Sequence, residues 1–261
     1  MTSMQSIADW LEQNPDFIKT TIRQAWDEIS HFYLSKAQEL DPSEVEAVWS
    51  VAQCPWPERF IQDLLSIWSR SDYVRESCLR YPHWLASWSS SQSELYQVKS
   101  EAEYRQQLKV LCAEVSGETD LMQVLREFRR AEMLRIMWRD LLNIAELEET
   151  LANVTSLADV CVTQALDCLY LQLVERYGCP MSQSKEGVEA QPQKMFVLAM
   201  GKHGAKELNV SSDIDLIFAY PESGETDHPR KPIENQLFFT RLGQRLIQVL
   251  DQVTAEGFVF R

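Results

Sequence analysis

Two aspartates separated by one residue, Asp213 and Asp215, lie in an apolar run that extends to Tyr220. Residues two apart on a β-strand point to the same face, so the two carboxylates would project together. Carboxylates this close repel each other unless a cation lies between them, and oxygen donors favour hard divalent ions. The pair therefore predicts a metal site in which Asp213 and Asp215 are both ligands and catalytic residues. The alternative interpretation is a solvated strand edge that binds nothing.

A glycine turn lies upstream of the two aspartates. Gly201 and Lys202 follow a short apolar run, and eleven residues separate Gly201 from Asp213. Glycine lets the backbone come close to a ligand, so N–H groups in such a turn can contact a phosphate. The turn and the carboxylates together indicate metal-assisted phosphoryl or nucleotidyl transfer. The alternatives are an ordinary strand-ending glycine at position 201 and solvated loop charges at Lys202 and Lys206.

The elements that would position these residues change character near residue 180. Apolar residues recur at helical spacing as far as Tyr177, which predicts a helical domain over residues 1–180. The polar residues 181–194 predict a linker or surface loop, and residues 195–261 predict the start of a second domain that contains strands. The predicted fold class is therefore α+β, with a mainly helical N-terminal region.

Several elements within these regions are predicted individually. A helix is expected from Leu121 to about Ala145, and Ser156 with Asp159 resembles a capping box that begins another helix. That second helix would end at Gly178. In the second domain we expect the following elements: strands at 195–200 and 213–220, a loop at 221–232, a helix at 235–253 and the beginning of a third strand at 257–261.

Composition limits the possible partners. The net charge is −14, so a general nucleic-acid-binding surface is not expected, because such a surface needs clustered Lys and Arg. The acidity also disfavours anionic membranes, and we find neither a secretory signal nor an uninterrupted apolar run of membrane-spanning length. The six cysteines have no C-x-x-C spacing and mostly apolar neighbours, which favours buried free thiols in the cytoplasm.

The segment 200–218 reads M-G-K-H-G-A-K-E-L-N-V-S-S-D-I-D-L-I-F. This glycine turn followed by a D-x-D pair resembles the nucleotidyltransferase superfamily of the DNA polymerase β type. It resembles more closely the signature of the bifunctional glutamine synthetase adenylyltransferase/adenylyl-removing enzyme family, whose members carry two such domains. Segments 128–141, 238–247 and 254–261 support the resemblance, which is strong over about residues 120–261. The E-L-N tripeptide and the long helical N-terminus resemble the first, adenylyl-removing domain.

The resemblance implies a fold, a reaction and a set of site residues. The fold would be an incomplete nucleotidyltransferase mixed sheet with helices. Asp213 and Asp215 would hold Mg²⁺, with two ions in a complete domain, and Gly201, Lys202 and Ser212 would line the phosphate and nucleotide pocket. Inorganic phosphate would attack a tyrosine-linked AMP on glutamine synthetase and release ADP, whereas full-length members also add AMP from ATP. The implied partners are glutamine synthetase, the PII signalling protein, ATP or ADP, and phosphate.

The sequence departs from the family pattern at two positions of the turn. His203 and Ala205 stand where the family usually has leucine and a second glycine. A Cβ at Ala205 is acceptable if that residue is not left-handed, and His203 is predicted at the surface, with a general-base role as the minor alternative.

The family's third carboxylate is expected beyond Arg261. The rival function is therefore a catalytically inactive module that docks to glutamine synthetase or PII, and a transferase acting on RNA ends is disfavoured by the acidity.

The predicted helix over residues 121–145 also contains five arginines interleaved with acidic residues. Intrahelical ion pairing on a solvated face is the first interpretation of this pattern. The alternative is that one or two of the arginines approach the phosphate pocket of the adjoining domain. The five residues are Arg126, Arg129, Arg130, Arg135 and Arg139.

Overall fold

The computed structural model describes residues 16–38, 56–89, 94–184, 189–254 and 256–261. The chain divides into two compact units, Met1–Val98 with Leu134–Glu146 and Lys99–Met133 with Leu147–Arg261. The boundaries between these units do not fall at the predicted domain boundaries near residues 180 and 195. The predicted boundaries concern which parts of the chain fold independently, and they stay predictions. The α+β fold class is confirmed.

The regular elements described in the first unit are all helices. Helix α2 begins directly after Pro57, whose missing N–H and fixed φ suit this position, and α3 is capped by Ser71, whose side chain accepts from Val74 N–H. Phe60 stacks on Trp138 with ring centroids 5.4 Å apart, inside a core that is rich in tryptophan and leucine. The helices that lie wholly in this unit are α1 (Asp16–Gln38), α2 (Glu58–Trp68), α3 (Asp72–Arg80) and α4 (His83–Trp88).

The second unit combines long helices with a small sheet, and α6 belongs to it as far as Met133. Its buried apolar residues come mainly from α5, α6, α7 and α9, and α7 is buried on several faces. The elements are α5 (Glu101–Leu111), α6 (Glu118–Leu141), α7 (Leu147–Tyr177), β1 (Phe196–Met200), α8 (Gly201–Gly204), β2 (Asp215–Ala219) and α9 (Asn235–Asp251).

Helix α7 corrects the predicted capping box. Ser156 and Asp159 lie inside this helix, which begins at Leu147, so the N–H groups near them already have helical partners. A capping box does occur at the start of α5, where Ser100 N–H donates to the Glu103 carboxylate over 2.7 Å and Glu103 N–H donates to Ser100 Oγ. The predicted end of α7 at Gly178 is confirmed, with φ +82° at that glycine.

The length of α7 also bears on the membrane prediction. By length and composition alone, its 31 residues are apolar enough to cross a membrane, although polar residues interrupt the run. However, 44% of the most apolar window is buried inside the protein, and α5 and α9 pack against the helix. A core helix passes the same test, so this helix is weak evidence for a membrane span.

Helix α6 ends at Leu141, earlier than the predicted end near Ala145. Asn143 adopts a left-handed φ of 53°, and the N–H groups of Ile144 and Ala145 both donate to the Arg139 carbonyl, over 2.9 and 3.2 Å. Asparagine tolerates this conformation better than most residues, so the helix terminates in a left-handed cap.

The sheet of the described residues has two antiparallel strands, β1 and β2. Phe196 pairs with Ala219 and Met200 pairs with Asp215, so the C-terminal end of β1 meets the N-terminal end of β2. The predicted third strand is not formed over residues 256–261. Instead Thr254 and Gly257 close a turn, after which the Arg261 carbonyl accepts a hydrogen bond of 2.5 Å from Ile214 N–H.

The prediction of buried free thiols is correct for some of the cysteines that the structure describes. The described cysteines are free thiols; three are buried and two, Cys168 and Cys179, are half-buried, so burial was predicted wrongly for these two. Burial raises the pKa of the Cys78 and Cys161 thiols to about 12. Cys54 lies outside the described residues.

Candidate functional site

The register of the sheet brings the glycine turn to one of the two predicted carboxylates. Met200 pairs with Asp215, so Gly201, the next residue, lies beside that aspartate. Gly201 has φ +54°, and a Cβ built on it would lie 3.0 Å from Asp215 Oδ2. A side chain at position 201 would therefore be strained and would press on the carboxylate, which explains why a glycine fits here.

Asp213 was predicted to lie on one strand together with Asp215, and the structure differs. Strand β2 begins at Asp215, so Asp213 precedes the strand and the prediction of a strand from residue 213 is wrong. Ile214 N–H is bonded to the Arg261 carbonyl, which keeps this part of the chain extended along the last residues. Exposure still alternates, since both aspartates are exposed while Ile214 and Leu216 are half-buried. Both carboxylates therefore face solvent.

A hydrogen-bonded turn around Asn209 immediately precedes Asp213 in the chain. The Asn209 Oδ1 atom accepts hydrogen bonds of 3.0 Å from Ser211 N–H, Ser211 Oγ and Ser212 Oγ. Asn209 N–H donates to Ser212 Oγ, also over 3.0 Å. The Ser212 hydroxyl, predicted to line a phosphate pocket, is thus engaged in the turn. Sequence reasoning missed Asn209, although an asparagine two residues before a serine is a recognisable turn signal.

The turn from Gly201 to Glu207 is closed by its own backbone. Ala205 N–H donates to the Gly201 carbonyl over 3.0 Å, and Glu207 N–H donates to the Lys202 carbonyl over 2.8 Å. A Cβ at Gly204 would lie 2.5 Å from the Ala199 carbonyl oxygen, so this position also requires glycine. The side chain of Lys202 is exposed.

The family departure at Ala205 is accommodated by the backbone. Ala205 has φ −79° and ψ −5°, a right-handed conformation that tolerates a Cβ, as the sequence argument required. The left-handed position of the turn is Lys206 instead, with φ 60°. Its side chain is exposed, in agreement with the interpretation as a loop charge.

His203 was predicted at the surface, and this prediction is wrong. The residue is only 3% exposed, and its Nε2 lies 2.7 Å from Asp159 Oδ1 on α7. The short helix α8 turns the histidine inward while its neighbours Lys202 and Gly204 remain exposed. Nothing in the local spacing signals this contact, because the two partners are 44 residues apart.

The residues present fit a partial magnesium site. The side-chain carboxylates of Asp213 and Asp215 make no hydrogen bond or ion pair with any other residue that the structure describes. Within the same residues, no group of three or more His, Cys, Asp or Glu side chains is placed to hold a metal ion. Magnesium is commonly held by one or two carboxylates together with phosphate oxygens and water, so two unpaired aspartates are a suitable but incomplete donor set.

Arg126 has a structural role that neither sequence interpretation anticipated. It is 2% exposed, and its guanidinium donates to three backbone carbonyls: Gly257 over 2.8 Å, Met122 over 2.8 Å, and Gln252. Burial lowers the pKa of this guanidinium, which keeps its charge because three acceptors surround it. The solvated-face interpretation is wrong for Arg126 and also for the buried Arg135 and Arg139.

Two neighbouring arginines hold the same C-terminal segment. Arg130 Nη1 lies 2.5 Å from Glu256 Oε2, and its Nη2 donates to the Glu256 carbonyl. The Arg129 guanidinium lies 5.2 Å from the ring centroid of Phe260. Helix α6 therefore fixes the segment that ends at Arg261, whose carbonyl bonds to Ile214 between the two aspartates.

Comparison with known proteins places the chain in a family. The sequence model described as glutamate-ammonia ligase adenylyltransferase matches residues 61–261, more than half of the chain. The chain belongs to the glutamate-ammonia ligase adenylyltransferase family. The matched region includes Gly201, Asp213 and Asp215.

Curated relatives carry the name bifunctional glutamine synthetase adenylyltransferase/adenylyl-removing enzyme. The relative from Nitrosococcus oceani is 44% identical over 201 residues, which is 77% of this chain and 20% of the relative. The one from Pseudomonas aeruginosa is 43% identical over 79% of this chain and 20% of its own length. The one from Hahella chejuensis is 40% identical over 96% of this chain and 24% of its own length. The chain thus spans about a fifth to a quarter of the relatives it matches.

Proposed function

We propose that the Gly201–Asp215 region belongs to a nucleotidyltransferase site that removes AMP from an adenylylated tyrosine of glutamine synthetase. The observation that carries the proposal is the placement of Gly201 against Asp215, with both aspartates exposed and free of other partners in the described residues. Membership of the family supports the substrate, since the relatives are named for adding and removing adenylyl groups on glutamine synthetase. The E-L-N tripeptide supports the adenylyl-removing half.

In the proposed reaction, an oxygen of inorganic phosphate attacks the phosphorus of the tyrosine–AMP bond. The bond from phosphorus to the tyrosine oxygen breaks, the tyrosine oxygen takes up a proton, and the phosphate leaves joined to AMP as ADP. Magnesium, when bound, would neutralise charge on the reacting phosphoryl group. Asp213 and Asp215 would hold the ion, the Gly201 turn would let the substrate phosphate approach the backbone, and Lys202 would offset the negative charge of the incoming phosphate.

Several finer features belong to this proposal. They are binding of two Mg²⁺ ions in a complete domain, use of ATP by the opposed activity, docking to the PII protein and a cytoplasmic location. The acidic net charge of −14 is compatible with a metal-dependent site and with a basic partner surface.

The test is phosphate-dependent release of ADP from adenylylated glutamine synthetase in the presence of Mg²⁺. We would compare this chain with a longer chain that continues as its relatives do, each with and without Asp213→Asn. The longer chain should release ADP only when phosphate is present, and the substitution should abolish that release. If Asp213→Asn instead abolished AMP addition from ATP and spared removal, the site would belong to the opposite activity. ADP release by the longer chain but not by this one would favour the non-catalytic docking module for these 261 residues.

A further inference from the structure

The turn that carries Gly201 and Lys202 contains one buried residue, His203. The histidine side chain is 2% exposed and lies against α7, where Asp159 keeps 41% of its side chain exposed. Their Nε2–Oδ1 distance of 2.7 Å is that of a charge-assisted hydrogen bond. Among the residues that the structure describes, one polar contact, that of His203, attaches the short helix α8 to α7.

The pair is an unusual choice if its role were stability alone. The Nδ1 atom of His203 is buried and has no hydrogen-bond partner among the residues described. A buried polar atom without a partner destabilises the folded state, and an apolar side chain would avoid that cost. The contact is directional, however, since Nε2–H must point at the Asp159 oxygen. A directional contact fixes orientation in a way that apolar packing does not.

Orientation matters at this position because the adjacent residues form the predicted pocket. Lys202 precedes His203, and Gly201 lies beside Asp215. Any rotation of α8 that released His203 from Asp159 would also move the Lys202 backbone and the Gly201 turn. Gly204 lies close to the strand that precedes the turn, since a Cβ built on it would lie 2.5 Å from the Ala199 carbonyl oxygen.

We propose that the His203–Asp159 contact positions the Gly201–Lys202 turn for binding a substrate phosphate. The inference rests on the proposed function. His203 is a positioning residue and not a general base, because both ring nitrogens are buried and Nε2 is engaged by Asp159. The phosphate class concerned is that of a nucleoside diphosphate or inorganic phosphate.

Two substitutions of the histidine separate the hydrogen bond from the ring. His203→Gln places an amide nitrogen near the position of Nε2 and keeps a donor for Asp159. His203→Asn places its amide nitrogen near Nδ1 and cannot reach Asp159. Asp159→Ala removes the acceptor from a residue that is partly exposed, so it tests the same contact with little risk to the core.

The measurements are local amide exchange over residues 201–207 and the dissociation constant for ADP with Mg²⁺, both made on this chain. Loss of a hydrogen bond to a charged group should speed exchange in the turn and weaken ADP binding, each by about tenfold, in His203→Asn and Asp159→Ala. His203→Gln should stay within about twofold of the unchanged chain on both measurements. Exchange in α9, far along the chain, serves as the control for global stability.

Equal behaviour of the Gln and Asn variants would overturn the proposal, because the hydrogen bond to Asp159 would then make no difference to the turn. Faster exchange in the turn with unchanged ADP affinity would also overturn it. Failure of the unchanged chain to bind ADP would count against the proposed function of the site. In that case the exchange measurement still decides whether the pair holds the turn.

Discussion

Gly201 and Asp215 meet at the corner where the two strands of the sheet end and begin. The strand register sets Asp215 opposite Met200, and the missing side chain of Gly201 leaves the carboxylate 3.0 Å from where a Cβ would stand. Backbone pairing between the two strands thus places Asp215 and the turn, and paired strands are more rigid than a loop. A site built this way keeps the backbone of Asp215 in place before any ligand binds.

Gly201→Ala should destabilise the protein by about 1–2 kcal/mol. Alanine at φ +54° is strained by roughly 1 kcal/mol, and its Cβ would push on Asp215 Oδ2. Gly117→Ala is the matched control, because a Cβ there meets nothing within 4 Å and its φ is not positive. Thermal unfolding of both variants checks the prediction. Equal effects of the two substitutions would show that the left-handed conformation of Gly201 is not maintained.

Asp215→Asn should abolish ADP release in a catalytically active longer chain while leaving the fold intact. The carboxylate is exposed and has no partner in the described residues, so unfolding should change by less than about 0.5 kcal/mol. Loss of one group that stabilises charge in a transition state typically lowers kcat by at least about 100-fold. Glu189→Gln, at an exposed acidic residue outside the turn and the E-L-N tripeptide, is the control and should retain activity. Retained activity of Asp215→Asn would refute the ligand assignment.

Arg126→Met should destabilise the protein by about 2 kcal/mol or more. The substitution keeps an apolar stem but removes the donors to the carbonyls of Met122, Gln252 and Gly257. Arg105→Met is the control, because the Arg105–Glu101 pair is half-exposed and pairs of this kind contribute about 0.5 kcal/mol. Urea unfolding measures both. An Arg126→Met effect as small as the control would mean that the C-terminal segment is held without the arginine.

Cys168 should react with alkylating agents at a lower pH than Cys161 does. A hydrogen bond from Cys112, assisted by Gln164 with its Nε2 3.4 Å from Sγ, lowers the pKa of Cys168 to about 6. Since the thiolate is the nucleophile, alkylation of Cys168 should reach half its maximal rate at a pH below that of an ordinary thiol. Cys112→Ala removes the donor, so the midpoint should move up toward about 8.5. Cys161, with its pKa near 12, should stay unlabelled at neutral pH.

Mass spectrometry after alkylation at a series of pH values distinguishes these thiols. A midpoint for Cys168 that did not move on Cys112→Ala would contradict the role of Cys112 in lowering the Cys168 pKa. The substitution lies outside the candidate phosphate site, so the test is independent of the proposed function.

The sequence by itself determined the elements that depend on local pattern. Apolar periodicity and glycine punctuation predicted β1, α9 and the end of α7 at Gly178, because burial of one face and freedom of φ are properties of neighbouring residues. The same locality explains a failure. Ser156 with Asp159 has the pattern of a capping box, yet a four-residue pattern does not register that α7 began earlier at Leu147.

The tertiary structure alone decided which distant residues support the site. His203 bonds to Asp159, 44 residues away, and Arg126 bonds to Gly257, 131 residues away. Residue spacing cannot encode such pairs, because they form only after helices pack and bury polar groups that must then find partners. The sequence identified Asp213, Asp215 and Gly201 as candidates. The packing of α6 and α7 determined how the backbone around them is held.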